Sequence, residues 1–290
     1  MTAPDQQALA ANVRALVAPE LDPGYRRRVA TVIEWVPPSP ADDSHLLDVG
    51  CGRGYFVGYY MRLGQRAITG VELDAAIAAR AMAAHRSTRN VAIVRADAAA
   101  LPFPAARFSG AVLSEVLEHV ADDGVVLREV FRVLRPGATV AITVPHARYP
   151  WAWDPLNRTL AALRLPPVRR GPLAGIWAEH RRLYERAALR DVLRRSGFAI
   201  DAERSLVRHC LPFSHNLLYG IGKPLLESGW LPQRLAQSID RRRPAGSPGD
   251  ESPAAALLRW LLSAGERWNR DDEGTDGPSV NLCVKARKPL

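Results

Sequence analysis

The 290-residue sequence predicts an α/β fold, a doubly wound and mainly parallel sheet with helices on both faces. Three observations predict it. Between His45 and Pro145, short apolar runs alternate with helical stretches in the order that parallel sheets produce. The first of those runs passes directly into Gly50-Cys-Gly-Arg-Gly54, as a strand turning into a helix would. Five strand-helix units fit into about a hundred residues, which calls for right-handed crossovers and a sheet covered on both sides.

The elements follow in order. Pro4 to Val36 reads as one or two helices ended by Pro37-Pro38. His45 to Val49 is the first strand; Tyr55 to Leu63 is a helix stopped by Gly64. Ala67 to Leu73 is a strand, and Asp74 to His85, dense in alanine, is a helix. Val91 to Arg95 and Phe108 to Ser114 are the third and fourth strands, separated by the Pro102-Phe-Pro104 turn. Asp122 to Leu134 is an amphipathic helix broken by Arg135-Pro-Gly137, and Thr139 to Val144 is the fifth strand. Residues 145–182 read as an irregular, aromatic cap inserted in the core. Glu185 to Ser196 is a helix closed by Gly197, followed by a strand region from Phe198 to Cys210. Ser279 to Lys288 alternates apolar and polar residues as a final edge-type strand does. The expected organisation is therefore a helical segment at 1–44, a core at 45–210, a helical or irregular insertion at 211–278 and a returning strand at 279–290.

Composition narrows the classes. With 47% hydrophobic residues, 24% charged, 21 Gly and 23 Pro, the chain can fill a sizeable core, which excludes wholesale disorder, collagen and coiled coil. Three distant cysteines, Cys51, Cys210 and Cys283, do not build a disulfide framework, and residues 1–20 lack a basic stretch followed by an apolar one. The tract from Ala254 to Ala264 is interrupted by Arg259 and is shorter than the roughly 18 residues of a membrane span. A cytoplasmic location is expected. The net charge of +9 comes from 39 Lys and Arg against 30 Asp and Glu, with the arginines in dispersed bursts that read first as solvation of helices. The apolar, aromatic stretch 211–243 could instead rest on a membrane surface, cap a substrate or form a dimer interface.

Leu46-Leu-Asp-Val-Gly-Cys-Gly-Arg-Gly54 carries the functional signal. Glycines there let the backbone turn sharply and approach a ligand, and the following helix offers free N–H groups to an anion. The dinucleotide fingerprint G-x-G-x-x-G needs a glycine at position 55, where this chain has Tyr55, so a nicotinamide oxidoreductase is disfavoured. The observed G-x-G-x-G, with Asp48 two residues ahead, resembles motif I of the class I S-adenosylmethionine-dependent methyltransferases. Glu72, Asp97, Ser114-Glu-Val-Leu-Glu-His-Val120, Leu134-Arg-Pro-Gly-Ala138 and His180-Arg-Arg-Leu-Tyr184 extend the resemblance to the type 11 family, which includes ubiquinone and menaquinone C-methyltransferases. It covers about Ala30 to Cys210. It implies a Rossmann-like seven-stranded sheet with an antiparallel C-terminal strand, and S-adenosylmethionine as cofactor.

The resemblance implies cofactor contacts from Asp48, Gly50, Cys51, Gly52, Gly54, Glu72, Leu73, Asp97, Ala98, Ser114 and Glu115. Glu72 would accept the ribose hydroxyls and Asp97 the adenine amino group. His119, after the fourth strand, is the leading candidate for a general base, with His146 and His180 next. Tyr149, Trp151 and Trp153 either line an acceptor or pack in the core. No metal ligand is expected. The expected acceptor is an oxygen or carbon nucleophile of a small molecule, apolar or lipid-like acceptors included. A nucleic-acid methyltransferase fits less well, because the fourth strand ends in Ser114-Glu-Val rather than an Asp- or Asn-Pro-Pro-aromatic motif and no Pro-Cys pair occurs. A noncatalytic S-adenosylmethionine-binding protein is the third class, and oligomeric state is left open.

Overall fold

A computed structural model describes residues 2–171, 173–213, 257, 260, 263, 268, 269, 272, 273 and 277–290. The chain runs α1 (Ala3–Val17), α2 (Pro23–Trp35), β1 (His45–Val49), α3 (Tyr55–Arg62), β2 (Ala67–Glu72), α4 (Ala75–His85), β3 (Val91–Arg95), β4 (Phe108–Ser114) and α5 (Asp123–Val133). It continues with β5 (Leu134–Pro145), α6 (Pro155–Ala162), a turn of 3-10 helix at Gly175–Trp177, α7 (Arg186–Arg195), β6 (Ala199–Leu206), β7 (Asp272–Glu273) and β8 (Asn281–Arg287). The sheet order is β3-β2-β1-β4-β5-β8-β6-β7. The first five strands are parallel, and β8 inserts antiparallel between β5 and β6. This is the expected seven-stranded sheet, extended at one edge by the two-residue β7.

Strand alternation explains the two cores. Successive side chains point to opposite faces, so Leu46, Val112 and Ala141 join one buried cluster while Leu47, Leu113 and Ile142 join the other. The first cluster is roofed by Val29, Val32 and Ile33 of α2 and by Phe56, Val57 and Tyr60 of α3. Val126, Leu127 and Val130 of α5, with Leu189 and Leu193 of α7, cover the second. The N-terminal helical segment is thus built into the main core: Val29, Val32 and Ile33 are wholly buried, and the Tyr60 hydroxyl donates to the Val36 carbonyl. Aspartate N-caps start α2, α4, α5 and α6. Asp74, for example, accepts the N–H groups of Ala76 and Ile77 at 2.8 Å each.

Three segments differ from the sequence expectation, the first being the final strand, which is not at an edge because β8 pairs with β5 on one side and β6 on the other. Arg135-Pro-Gly137 does not separate helix from strand: β5 already begins at Leu134, and its pairing with β4 shifts register between Phe108 and Gly110. The extra residues are accommodated as a bulge, with Gly137 at a φ of 78° and its N–H bonded to the Lys288 carbonyl. The cap at 145–182 is ordered around one buried carboxylate. Asp154 accepts the N–H groups of Asn157 and Ile176 and the Asn157 side-chain amide, tying α6 to the 3-10 turn. The stretch 211–243, apart from its first three residues, and most of the insertion 211–278 lie outside the described residues.

Candidate functional site

Strand order reverses between β1 and β4, and in open α/β sheets a ligand crevice forms at the carboxyl ends of the strands at that reversal. The loops after β1, β2, β3, β4 and β5 all end on this edge, so the structure gathers there the residues that the sequence scatters from Asp48 to His146. Gly50, Gly52 and Gly54 all have left-handed backbone, with φ of 68°, 54° and 78°. They are not equivalent. A Cβ on Gly50 would meet Val116 at 2.5 Å and one on Gly54 would meet His85 at 2.8 Å, whereas one on Gly52 would meet nothing within 4 Å. Gly50 and Gly54 shape the loop; Gly52 lies under open space. Cys51 is buried, packs its sulfur into the room left by Gly70, and burial pushes its thiol far above the ordinary range.

Two carboxylates bracket this loop. Glu72 accepts the Gly52 N–H at 3.0 Å through one oxygen and the Asp74 N–H at 2.9 Å through the other. Asp48 is 2% exposed, and its Oδ2 has no hydrogen-bond partner among the described residues. Burial, reinforced by the negative charge of Glu72, pushes the Asp48 carboxyl up to about 8. Leu73 and Asp97 are exposed at the next two strand ends and Ala98 is half-buried, with Asp97 accepting the Ala99 N–H at 2.9 Å. Together these residues make a crevice floored by glycine backbone, with a buried acid at one end and a second acid on its rim.

The end of β4 is a polar network. Glu115 has a φ of 56°, and its N–H donates to the Thr143 carbonyl. Its carboxylate accepts from the Thr143 hydroxyl at 2.9 Å and the Asn281 amide at 3.0 Å, and pairs with Arg28 of α2 at 3.1 Å. Ser114 shares a 2.9 Å hydrogen bond with Thr143. Ser114 and Glu115 therefore brace β4 against β5, β8 and α2. Three residues after Glu115, Glu118 is 0% exposed and neither of its oxygens has a hydrogen-bond partner among the described residues. Burial holds its carboxyl well above the ordinary range, with Glu115 adding to the effect and Arg28 opposing it. His119 is exposed beside it, its ring edge-on to that of His180 at 4.8 Å between centroids.

His146 follows β5 but is 1% exposed, bonded through Nδ1 to the Ser279 hydroxyl at 2.9 Å. Burial, helped by Arg148 and Arg186, pushes its imidazole down to about 4, so it is neutral at physiological pH. Of the three aromatic residues, Tyr149 and Trp153 belong to the buried cluster under α2, and Trp151 is exposed. Sequence reasoning did not single out Glu118, Arg28, Thr143 or Asn281. Glu118 lay inside the Ser114–Val120 motif, where a carboxylate between Leu117 and His119 was the available signal; Arg28 sits among three arginines that look alike in sequence.

Residues 47–142 match the methyltransferase domain family. An O-methyltransferase of Penicillium expansum is 31% identical over 133 residues, covering 45% of this chain and 48% of that protein. A 2-phytyl-1,4-naphtoquinone methyltransferase of Synechocystis is 35% identical over 118 residues, 39% of this chain and 49% of the other. A ubiquinone biosynthesis O-methyltransferase of Caulobacter vibrioides is 32% identical over 133 residues, 45% and 48%. The chain spans about half the length of the curated relatives it matches. Among solved structures, the [4+2]-cyclase SpnF superposes with a TM-score of 0.52 at 22% identity, covering 91% of this chain and 81% of that one. A SAM-dependent methyltransferase from Thermotoga maritima does so with 0.52 at 15% identity, covering 90% and 87%. Residues 47–142, on a sheet of Rossmann-like order, are thus similar to the methyltransferase domain family.

Proposed function

We propose that the chain transfers the methyl group of S-adenosylmethionine to an oxygen or carbon nucleophile of a small molecule. The observation that carries this reading is the Asp48 carboxyl, buried and without a partner at Oδ2 beneath a glycine loop whose central residue faces open space. A buried acid in that state calls for a cation, and the ammonium of the cofactor's amino-acid end is one. When bound, the cofactor supplies a sulfonium-activated methyl group, so the protein's task is positioning. Glu72, whose carboxylate keeps lone pairs beyond its two backbone bonds, would accept the ribose hydroxyls. Leu73 and Ala98 would border the adenine, and Asp97 would take its amino group. Gly52 leaves the space that the cofactor fills, and the first turn of α3, which no side chain caps, would receive the carboxylate.

On the acceptor side, an in-line attack forms the new bond to the methyl carbon as the carbon–sulfur bond breaks, and the acceptor loses its proton. His119, exposed in the loop after β4, would receive that proton, with His180 beside it. His146, buried and neutral, serves better as a brace for the loop after β5. The relatives named as O-methyltransferases and as naphthoquinone and ubiquinone-pathway enzymes support a small-molecule acceptor, with quinone-like compounds among the candidates. Tritiated methyl transfer from S-adenosylmethionine into a cell extract, followed by solvent partition, tests this. Label in low-molecular-mass material is expected; label confined to protein or nucleic acid overturns the reading.

A further inference from the structure

Glu118, His119 and His180 converge beside the acceptor side of the loops, and their bonding is peculiar. Nδ1 of His119 lies 3.1 Å from the carbonyl oxygen of Glu179. A carbonyl can only accept, so in the neutral ring the proton sits on Nδ1 and Nε2 presents a lone pair. That lone pair lies 3.8 Å from Oε1 of Glu118, and Nε2 of His180 lies 4.0 Å from the same oxygen. Both separations exceed a hydrogen bond. A ring lone pair therefore faces a carboxyl group that is 0% exposed and, among the described residues, hydrogen-bonded at neither oxygen.

We propose that Glu118, His119 and His180 form a binding site for a divalent first-row transition ion of the zinc kind, contrary to the sequence expectation of no metal. Their ligand atoms all lie within 4.8 Å of one another, close enough to meet an ion at roughly 2.0–2.2 Å after small side-chain movements. Two imidazole nitrogens and one carboxylate suit zinc, cobalt or iron, whereas magnesium and calcium take oxygen sets. Three protein ligands leave further coordination positions open, as in sites that bind exchangeable groups rather than closed structural ones. The second shell is already built. The Glu179 carbonyl orients His119, and Glu179 holds a left-handed φ of 63° to present it. Arg181 clamps the two segments, its N–H bonding the Glu118 carbonyl at 2.8 Å and its Nε the His119 carbonyl at 2.9 Å. Glu115 stays out of the set, because Arg28, Thr143 and Asn281 occupy its carboxylate. The site stands on this geometry alone. If the methyl-transfer reading also holds, an ion there would acidify an acceptor hydroxyl that reached an open position, taking the place of His119 as base because its Nε2 lone pair is then used.

Chelator-stripped full-length chain titrated with Co²⁺ and with Zn²⁺ tests the site. The expected result is one equivalent bound, with visible cobalt absorption lacking the near-ultraviolet band that thiolate ligation by the cysteines would give. Glu118→Gln and His180→Gln should each weaken uptake by at least the roughly 10–100-fold that loss of an outer-shell partner costs. Zn²⁺ should raise the unfolding temperature of the native chain and not that of the variants. His180→Gln, at a half-buried loop position, carries the test if Glu118→Gln does not fold. No saturable uptake, or unchanged uptake in folded His180→Gln, overturns the proposal. S-adenosylmethionine titrated into the same samples separates the two readings: cofactor binding without ion uptake overturns only the metal site, and ion uptake without cofactor binding counts only against methyl transfer.

Discussion

At the scale of single residues, two glycines of one loop should respond differently to the same substitution. Each adopts left-handed backbone, so alanine at either costs about 1–2 kcal/mol. Gly50→Ala adds a clash with Val116, worth about 1–3 kcal/mol more, and should lower the denaturation midpoint clearly. Gly52→Ala should stay nearer the parent in stability while losing cofactor affinity; equal stability losses and intact affinity would show that the crevice lies elsewhere. Asp48 gives a second residue-level test. Its folded-state carboxyl titrates at about 8 against the ordinary 3.8, so the native state holds the proton that the unfolded chain releases. Stability from this group is therefore lost as pH rises from about 4 to about 8, and thermal unfolding of Asp48→Asn should lack that decline. An ammonium seated on Asp48 must displace the proton. Calorimetric titration with S-adenosylmethionine at pH 7, in buffers of different ionisation enthalpy, should report release of most of a proton, absent in Asp48→Asn; buffer-independent heats from the parent chain would refute the contact.

Among elements, α2 reaches the site through one side chain. Arg28→Ala would leave Glu115 half-buried and without its cation beside the buried Glu118, at a cost of about 2 kcal/mol by chemical denaturation. Adding Glu115→Gln should recover part of that loss, since the charge left behind is then gone; strict additivity would mean that the pair is not coupled. This link was not legible in the sequence. Patterning shows that α2 has an apolar face, but which of Arg26, Arg27 and Arg28 turns toward β4 depends on how the helix lies on the sheet. The same reason hid the start of β5: Arg135-Pro-Gly137 reads locally as a helix stop, and only pairing with Phe108 and Lys288 turns it into a bulge. Sequence left Tyr149 and Trp153 open between lining an acceptor and packing in the core, and the buried Asp154 folds the cap so that both enter the core.

For the molecule as a whole, the parallel sheet was readable because its strands are short apolar runs set among helices, of which α4 and α5 start at the aspartate caps Asp74 and Asp122, a pattern set by local chemistry. The position of the residues proposed for the cofactor was readable for a related reason: each ends a strand or sits in a glycine turn, so spacing alone places it on the edge where the strands end. The cluster around Glu118 was not, since it needs His180, from a distant loop, to meet Glu118 and its neighbour His119. Among the described residues no helix is long and apolar enough to cross a membrane. What unites these scales is the proposal that the space over Gly52, between Asp48 and Glu72, takes a cationic nucleoside. Isothermal titration of the purified chain with S-adenosylmethionine measures this directly. One saturable equivalent, sharply weakened by Glu72→Ala in a folded variant and not competed by NAD, is the predicted result; no saturable heat, or displacement of the ligand by NAD, would contradict it.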